Sequence, residues 1–135
     1  MPVCVFAQIG HITPENMVIL NADSPYKSTW TPTEEQILKA LSTIYEFIDN
    51  PTGINDWQKK EIAKIKKNLS LYRVQFVGIE IEGEKRIWCN FFSNDRIDYW
   101  KEGVVIVLDG GFWYWEIQYD VKTGECVNFI SNGYA

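Results

Sequence analysis

Histidine is almost missing from this chain: His11 is the one imidazole in 135 residues. That excludes a histidine-built metal cage, and there is no Cys-x-x-Cys pair and no calcium-loop spacing to replace it. No cofactor is therefore expected. Cysteine is also scarce. Cys4, Cys89 and Cys126 are odd in number and far apart, which fits reduced, buried thiols better than a disulfide framework, with one bridge and one thiol left over as the alternative. Basic charge is in the minority, with 13 Lys and Arg against 18 Asp and Glu and a net charge of −5. Such a balance argues against nucleic acid and anionic lipid as partners. No apolar run reaches the roughly 18 residues of a membrane-spanning helix, so no membrane partner is expected. The opening residues 1–8 hold an apolar patch too short for a signal-peptide core, with no basic region before it. They read as a cytoplasmic start, or as a secreted or periplasmic chain whose leader was removed.

What the chain has in excess is aromatic rings. Six Trp, seven Tyr and seven Phe make up 15% of it, more than the core of one domain spanning residues 1–135 requires. Such a surplus points to a pocket wall or a partner interface, where Trp and Tyr concentrate. The plainer reading, a sheet face simply covered by large side chains, is the favoured one.

Residues 3–9 and 17–20 are short β-like runs around Gly10–Pro14, and residues 21–30 read as loop; the first 30 residues are expected to lie along the domain. Thr31-Pro32-Thr33-Glu34 reads as a capping box that opens a first helix, with Thr31 as N-cap and Pro32 at its first position. Stepping about 100° per residue puts Ile37, Leu38, Leu41, Ile44, Tyr45, Phe47 and Ile48 on one arc. Asn50-Pro51-Thr52-Gly53 ends it. A second helix opens at Asn55 with Gln58 behind it and runs to about Asn68. Ile62, Ile65 and Leu69 form its apolar stripe, and Lys59, Lys60, Lys64, Lys66 and Lys67 its outer side. The short connection makes the two helices antiparallel neighbours.

The pattern then changes to strands. Residues 71–81 predict a long strand, with a bulge or bend at Gly78. Glu82-Gly83-Glu84 turns into residues 85–92. After a polar loop, Val104–Leu108 and Phe112–Tyr119 flank Asp109-Gly110-Gly111, which reads as a β-hairpin because primed turns need positive φ. A last strand spans residues 125–130. Helices first and then about five strands on tight turns predict an α+β fold, with two N-terminal helices packed on one face of a curved antiparallel sheet. Along residues 112–119, Trp113, Trp115, Ile117 and Tyr119 fall on one face, and Phe112, Tyr114 and Glu116 on the other.

The pattern Asp109-Gly110-Gly111, Trp115, Tyr119-Asp120, Thr123-Gly124 and Asn132-Gly133-Tyr134-Ala135 resembles the ending of a set of small uncharacterised bacterial α+β proteins. The resemblance covers roughly residues 72–135. It implies helices over a curved sheet, similar in outline to cystatin-like domains, and no known activity. Gln75-Phe76-Val77-Gly78 does not supply the cystatin inhibitory loop: it is one residue short of the Gln-x-Val-x-Gly spacing and lies in a strand.

Catalytic patterns are thin. There is no Gly-x-Ser-x-Gly elbow, and a Cys–His pair would need His11 to meet a cysteine from an apolar strand, where thiols act as small hydrophobes. Asp95, Asp98 and Glu102 form an acidic loop that reads as solvated. Asp109 reads as a turn residue. Among the carboxylates, Glu116 stands out because it shares a strand face with Phe112 and Tyr114, where its charged form would be disfavoured. The favoured reading is nonetheless a Glu116 that faces solvent beside a cross-strand Lys or Arg. The Lys face of the second helix reads as a solvated surface.

Two functional expectations follow. The leading one is a non-enzymatic binding or interaction domain, of inhibitor or immunity type, using an aromatic sheet face with Trp88, Trp100, Trp113, Tyr114 and Trp115 as anchors and a protein or a second copy of itself as partner. The alternative is a small-molecule or weakly catalytic pocket between the first helix and the sheet, lined by Tyr45, Tyr72, Trp88 and Trp113, with Glu116 or Asp98 as its polar group.

Overall fold

The computed structural model describes residues 12–93 and 95–134. The expected strand over residues 3–9, Cys4 and His11 lie outside the described residues. The elements, in chain order, are β1 (Met17–Ile19), α1 (Glu34–Asp49), α2 (Asp56–Lys67), β2 (Arg73–Ile81), β3 (Glu84–Phe92), β4 (Tyr114–Asp120) and β5 (Glu125–Ser131). They form an α+β fold with one five-stranded open sheet in the order β1-β2-β3-β4-β5. All pairings are antiparallel except β1 with β2, which is parallel.

Helix α1 starts two residues later than the sequence reading placed it. Both Thr31 and Thr33 precede a residue able to close a capping box, and the box that forms is Thr33 with Gln36. The Thr31 hydroxyl instead donates to Asn21 Oδ1 at 3.1 Å, which fixes the incoming loop. Helix α2 keeps the expected Asn55–Gln58 box.

The sheet face toward the helices carries Val74, Phe76, Ile87, Cys89, Phe91, Trp115, Ile117, Tyr119 and Phe129, packed against Ile37, Leu41, Ile44 and Ile48 of α1 and Ile62 and Ile65 of α2. The Phe91 and Trp115 rings lie flat on one another, 3.9 Å apart with 1° between planes. The opposite face carries Val77, Ile79, Trp88 and Phe92, and it is covered as well: Leu20, Ala22 and Tyr26 lie on one part of it, and Trp100, Val104, Val105 and Val107 on another.

The expected hairpin between Val104–Leu108 and Phe112–Tyr119 does not form. Residues 104–108 make no strand, and β4 pairs with β3 and β5 instead. Apolar side chains in this run bury against the far face without a ladder, because the buried amides of Gln75 and Asn90 satisfy the Val105 backbone at both ends. The glycine pair still turns the chain. Gly110 has φ +94°, and Gly111 opens a short 3-10 turn with the Tyr134 ring pressed on its Cα face.

Gly78 makes no bulge either. The β2–β3 register runs unbroken through it. A Cβ on Gly78 would lie 2.0 Å from the carbonyl oxygen of Trp30, so glycine is there to let that backbone cross the strand. The irregularity sits between β4 and β5, near Asn128, whose φ is +56°.

Candidate functional site

Three sets of residues meet on the loop-covered face of the sheet and leave a crevice of about 310 Å³. Its floor comes from β3 and β4. Trp88 and Asn90 project from alternate positions of β3, and Tyr114 and Glu116 do the same on β4, where Glu116 is the cross-strand partner of Asn90. Period-two alternation puts all four on one face. One wall is Pro25 and Tyr26, with the Tyr26 ring edge-on to Trp88 at 6.1 Å. The other wall is Val105–Leu108.

Both walls are pinned by polar side chains. Gln118 Nε2 donates to the Tyr26 hydroxyl at 3.3 Å. Asn132 Nδ2 donates to the carbonyl oxygens of Val107 and Asp109, one on each side of Leu108. Leu108 is thereby held out in solvent, 92% exposed, with exposed Ile106 beside it in the same loop and exposed Ile130 two residues before Asn132 on β5.

The chemistry of the crevice is set by two groups, the Glu116 carboxyl and the Trp88 indole N–H beside it. Glu116 is half-buried and makes no ion pair among the described residues. Burial holds its carboxyl above the usual carboxylate range, and the neighbouring Trp88 indole N–H works against that rise. Trp88 is 1% exposed, and its Nε1 lacks a hydrogen-bond acceptor within bonding distance. A buried donor left unmade costs about 1–3 kcal/mol. Glu61 shows the contrast. It is just as buried as Trp88, but its carboxylate is taken up by Lys64 Nζ at 3.0 Å and by the Tyr134 hydroxyl, which donates to it at 3.0 Å. Glu61 therefore clamps the C-terminal segment to α2. Glu116 clamps nothing.

The aromatic residues picked out from the sequence separate across the sheet. Trp88, Tyr114 and Glu116 come together in the crevice. Trp115 points the other way, into the core under the helices, and Trp113 packs half-buried beside Tyr72 at the same side. Trp100 is buried on the far face against Phe92. Burial of Trp88, Trp100 and Trp115 removes them as surface anchors, because the sheet face meant to be open is roofed by residues 20–30 and 97–108.

The pocket expected between α1 and the sheet does not form from Tyr45, Tyr72, Trp88 and Trp113; the space beside α1, about 470 Å³, lies at its C-terminal end and is lined by Phe47, Ile117, Cys126 and Phe129. Tyr72 is fully buried among Ile37, Leu41, Ile44, Ile62 and Ile65, and Trp88 lies on the opposite side of the sheet. Asp98 is exposed in its loop and lines no part of the crevice. Among the described residues, no group of three or more His, Cys, Asp or Glu is placed to hold a metal ion.

A larger depression of about 620 Å³ lies between the end of α1 and the β4–β5 turn. It is rimmed by exposed Glu46, Asp49 and Asn50 and contains no buried polar atom lacking a partner. The sequence reading missed Tyr26, Asn90 and Asn132. Asn90, a lone amide inside the apolar run from Ile87 to Phe92, was the available signal, since a buried amide must find partners. No family model, curated protein or solved structure matches the chain.

Proposed function

We propose that this chain is a non-enzymatic binding domain whose ligand seat is the crevice over β3 and β4. One observation carries the reading: the Glu116 carboxyl, drawn away from solvent with no cation to pair it, and the Trp88 indole N–H beside it sit together on the floor of an open cleft with pinned walls. Such a cleft, mostly apolar with a few convergent polar groups, is the usual form of a small-ligand site. Two tyrosines are the other titratable groups lining it, so the arrangement offers recognition rather than an acid–base couple. The test follows the Trp88 indole N–H resonance, assigned with a Trp88→Phe variant, against a set of small amines, carboxylic acids, alcohols and sugars. At least one class should move that signal saturably, and at a hundred times its Kd should stabilise the fold by about 2.7 kcal/mol. If no member of the set moves it, the reading falls.

A second reading, protein contact, moves from the sheet face to the rim, and the pinned, exposed Leu108 between Ile106 and the Asn132 clamp favours it. An apolar side chain presented on a fixed loop loses little entropy on docking. Sedimentation of wild type and Leu108→Asp at two concentrations examines the case in which a second copy is the partner. A concentration-dependent dimer that the variant loses is expected there, and two chains that stay monomeric refute that case.

A further inference from the structure

Resting on the crevice as a binding seat, we infer that its occupant is an organic cation: an ammonium or guanidinium head, held by the Glu116 carboxylate beside the rings of Tyr26 and Tyr114, with the buried Trp88 beneath them. Among the described residues lining the crevice, Glu116 is the one that carries a charge. It has lost part of its hydration, and no cation of the described chain replaces it. Elsewhere the molecule supplies that cation wherever an acid is drawn inward, as Lys64 does for Glu61 and Arg86 for Asp120. The seat is missing its positive member, and burial of an acid is compensated best by a charge of opposite sign.

The walls fit the same ligand. Aromatic faces within about 6 Å attract ammonium and guanidinium groups through the ring quadrupole. The protein already uses this contact, with Lys85 over Trp30 at 5.2 Å and Arg73 over Trp100 at 5.2 Å. Neither Tyr26 nor Trp88 carries a cation from the described residues. An anion would meet both Glu116 and a net charge of −5. A neutral alcohol would leave the carboxylate uncompensated. The volume of about 310 Å³ lies at the small end of ligand pockets, enough for the head and stem of one amine rather than a drug-sized molecule. That head has two sources, a free small amine or a basic side chain on a partner that also touches Leu108.

The experiment uses four probes of matched length, n-butylguanidinium, n-pentylammonium, 1-pentanol and pentanoate, read by the Trp88 indole resonance and by calorimetry. The two cations should bind and the alcohol and acid should not. Glu116→Gln should weaken the cations at least tenfold, and Tyr26→Leu should weaken them severalfold, with both variants checked for a cooperative thermal transition. Binding by pentanol or pentanoate that equals the cations, or cation binding untouched by Glu116→Gln, overturns the cation inference and leaves the seat standing. Silence from all four probes, together with silence from the wider set, removes the seat itself. The peptide acetyl-Leu-Arg-Leu-amide separates the sources. Tighter binding than butylguanidinium, lost in Leu108→Asp, identifies a partner's side chain, and equal binding identifies a free amine.

Discussion

Gln75 and Asn90 are direct cross-strand partners on β2 and β3, and together their side chains fasten the 100–105 loop to the sheet. Gln75 Nε2 donates to the carbonyls of Trp100 at 2.6 Å and Gly103 at 2.8 Å, while its Oε1 accepts from the Val105 N–H at 3.0 Å and from Asn90 Nδ2 at 3.0 Å. Asn90 Nδ2 also donates to the Val105 carbonyl at 2.8 Å. Two buried amides thus do for an irregular segment what a neighbouring strand would otherwise do. They also fix one wall of the crevice.

Replacing Gln75 with Ala should therefore be costly. It strands the Val105 N–H and two loop carbonyls and opens a void on the sheet, and each buried polar group left unmade costs about 1–3 kcal/mol. Urea denaturation should show a loss of about 3 kcal/mol or more at an unchanged m-value. Gln75→Ala and Asn90→Ala combined should cost less than their sum, since they share partners. Strict additivity of the two would show that the two amides fasten the loop independently of one another.

Gly78→Ala tests the crossing of Trp30. The new methyl meets backbone, not a flexible side chain, so either the 29–30 segment or β2 must shift. Overpacking of this type costs about 1–3 kcal/mol, and the loss of the hydrogen bond from Thr29 N–H to the Gly78 carbonyl, 3.0 Å long, adds to it. Trp30 Nε1 would also leave the Ile79 carbonyl, now 2.9 Å away. A variant within 0.5 kcal/mol of wild type, roughly the scatter of ordinary surface substitutions, would show that the segment peels off at no cost.

These two contacts mark where the sequence was legible and where it was not. Helix α2 and its cap, the β2–β3 hairpin through Glu82-Gly83, and β5 followed from local pattern, because each is decided within a few residues. Val104–Leu108 misled because an unbroken apolar run looks alike whether its neighbour is a strand or a pair of amides from β2 and β3. Gly78 misled for the same reason: a close backbone crossing and a bulge both call for glycine. At the crevice, alternation along β4 placed Glu116 with Tyr114, but the favoured pairing with a cross-strand Lys or Arg does not form, since its neighbours across the ladder are Asn90 and Ile130. The roof over the crevice was not legible, since residues 20–30 reach the sheet through Tyr26 and Gln118, 92 positions apart.

The raised Glu116 pKa predicts a pH dependence whose sign is opposite to that of an ion-paired acid. Folding favours the protonated carboxyl, so its full benefit is present below the unfolded pKa. It is lost as pH rises through the folded value, and above that value the native state carries the cost of a partly desolvated charge. Among the described residues, Tyr26 and Tyr114 are the other titratable groups lining the crevice. Glu116→Gln should thus melt higher than wild type at pH 7 and lose that advantage near pH 4. A variant less stable than wild type at pH 7 that loses this deficit near pH 4 would indicate that the carboxylate has a structural partner.

Cys89 and Cys126 should stay reduced and unreactive in the native state. Cys89 is on β3 and Cys126 on β5, with β4 between them, so their strands are about 9–10 Å apart by sheet spacing. Bridged cysteines need Cα atoms within about 7 Å. Burial pushes the Cys126 thiol up to about 12 and the Cys89 thiol well above its usual range, which leaves little thiolate at neutral pH. A thiol-reactive disulfide reagent should label neither until the protein is unfolded in denaturant, and mass spectrometry of the oxidised native chain should find no Cys89–Cys126 link. Rapid native labelling of Cys126 would mean that β5 opens from α1 on the timescale of the reaction. In that event the Phe47–Phe129 contact beside it, with ring centroids 6.0 Å apart, would be the weak point of the helix–sheet interface.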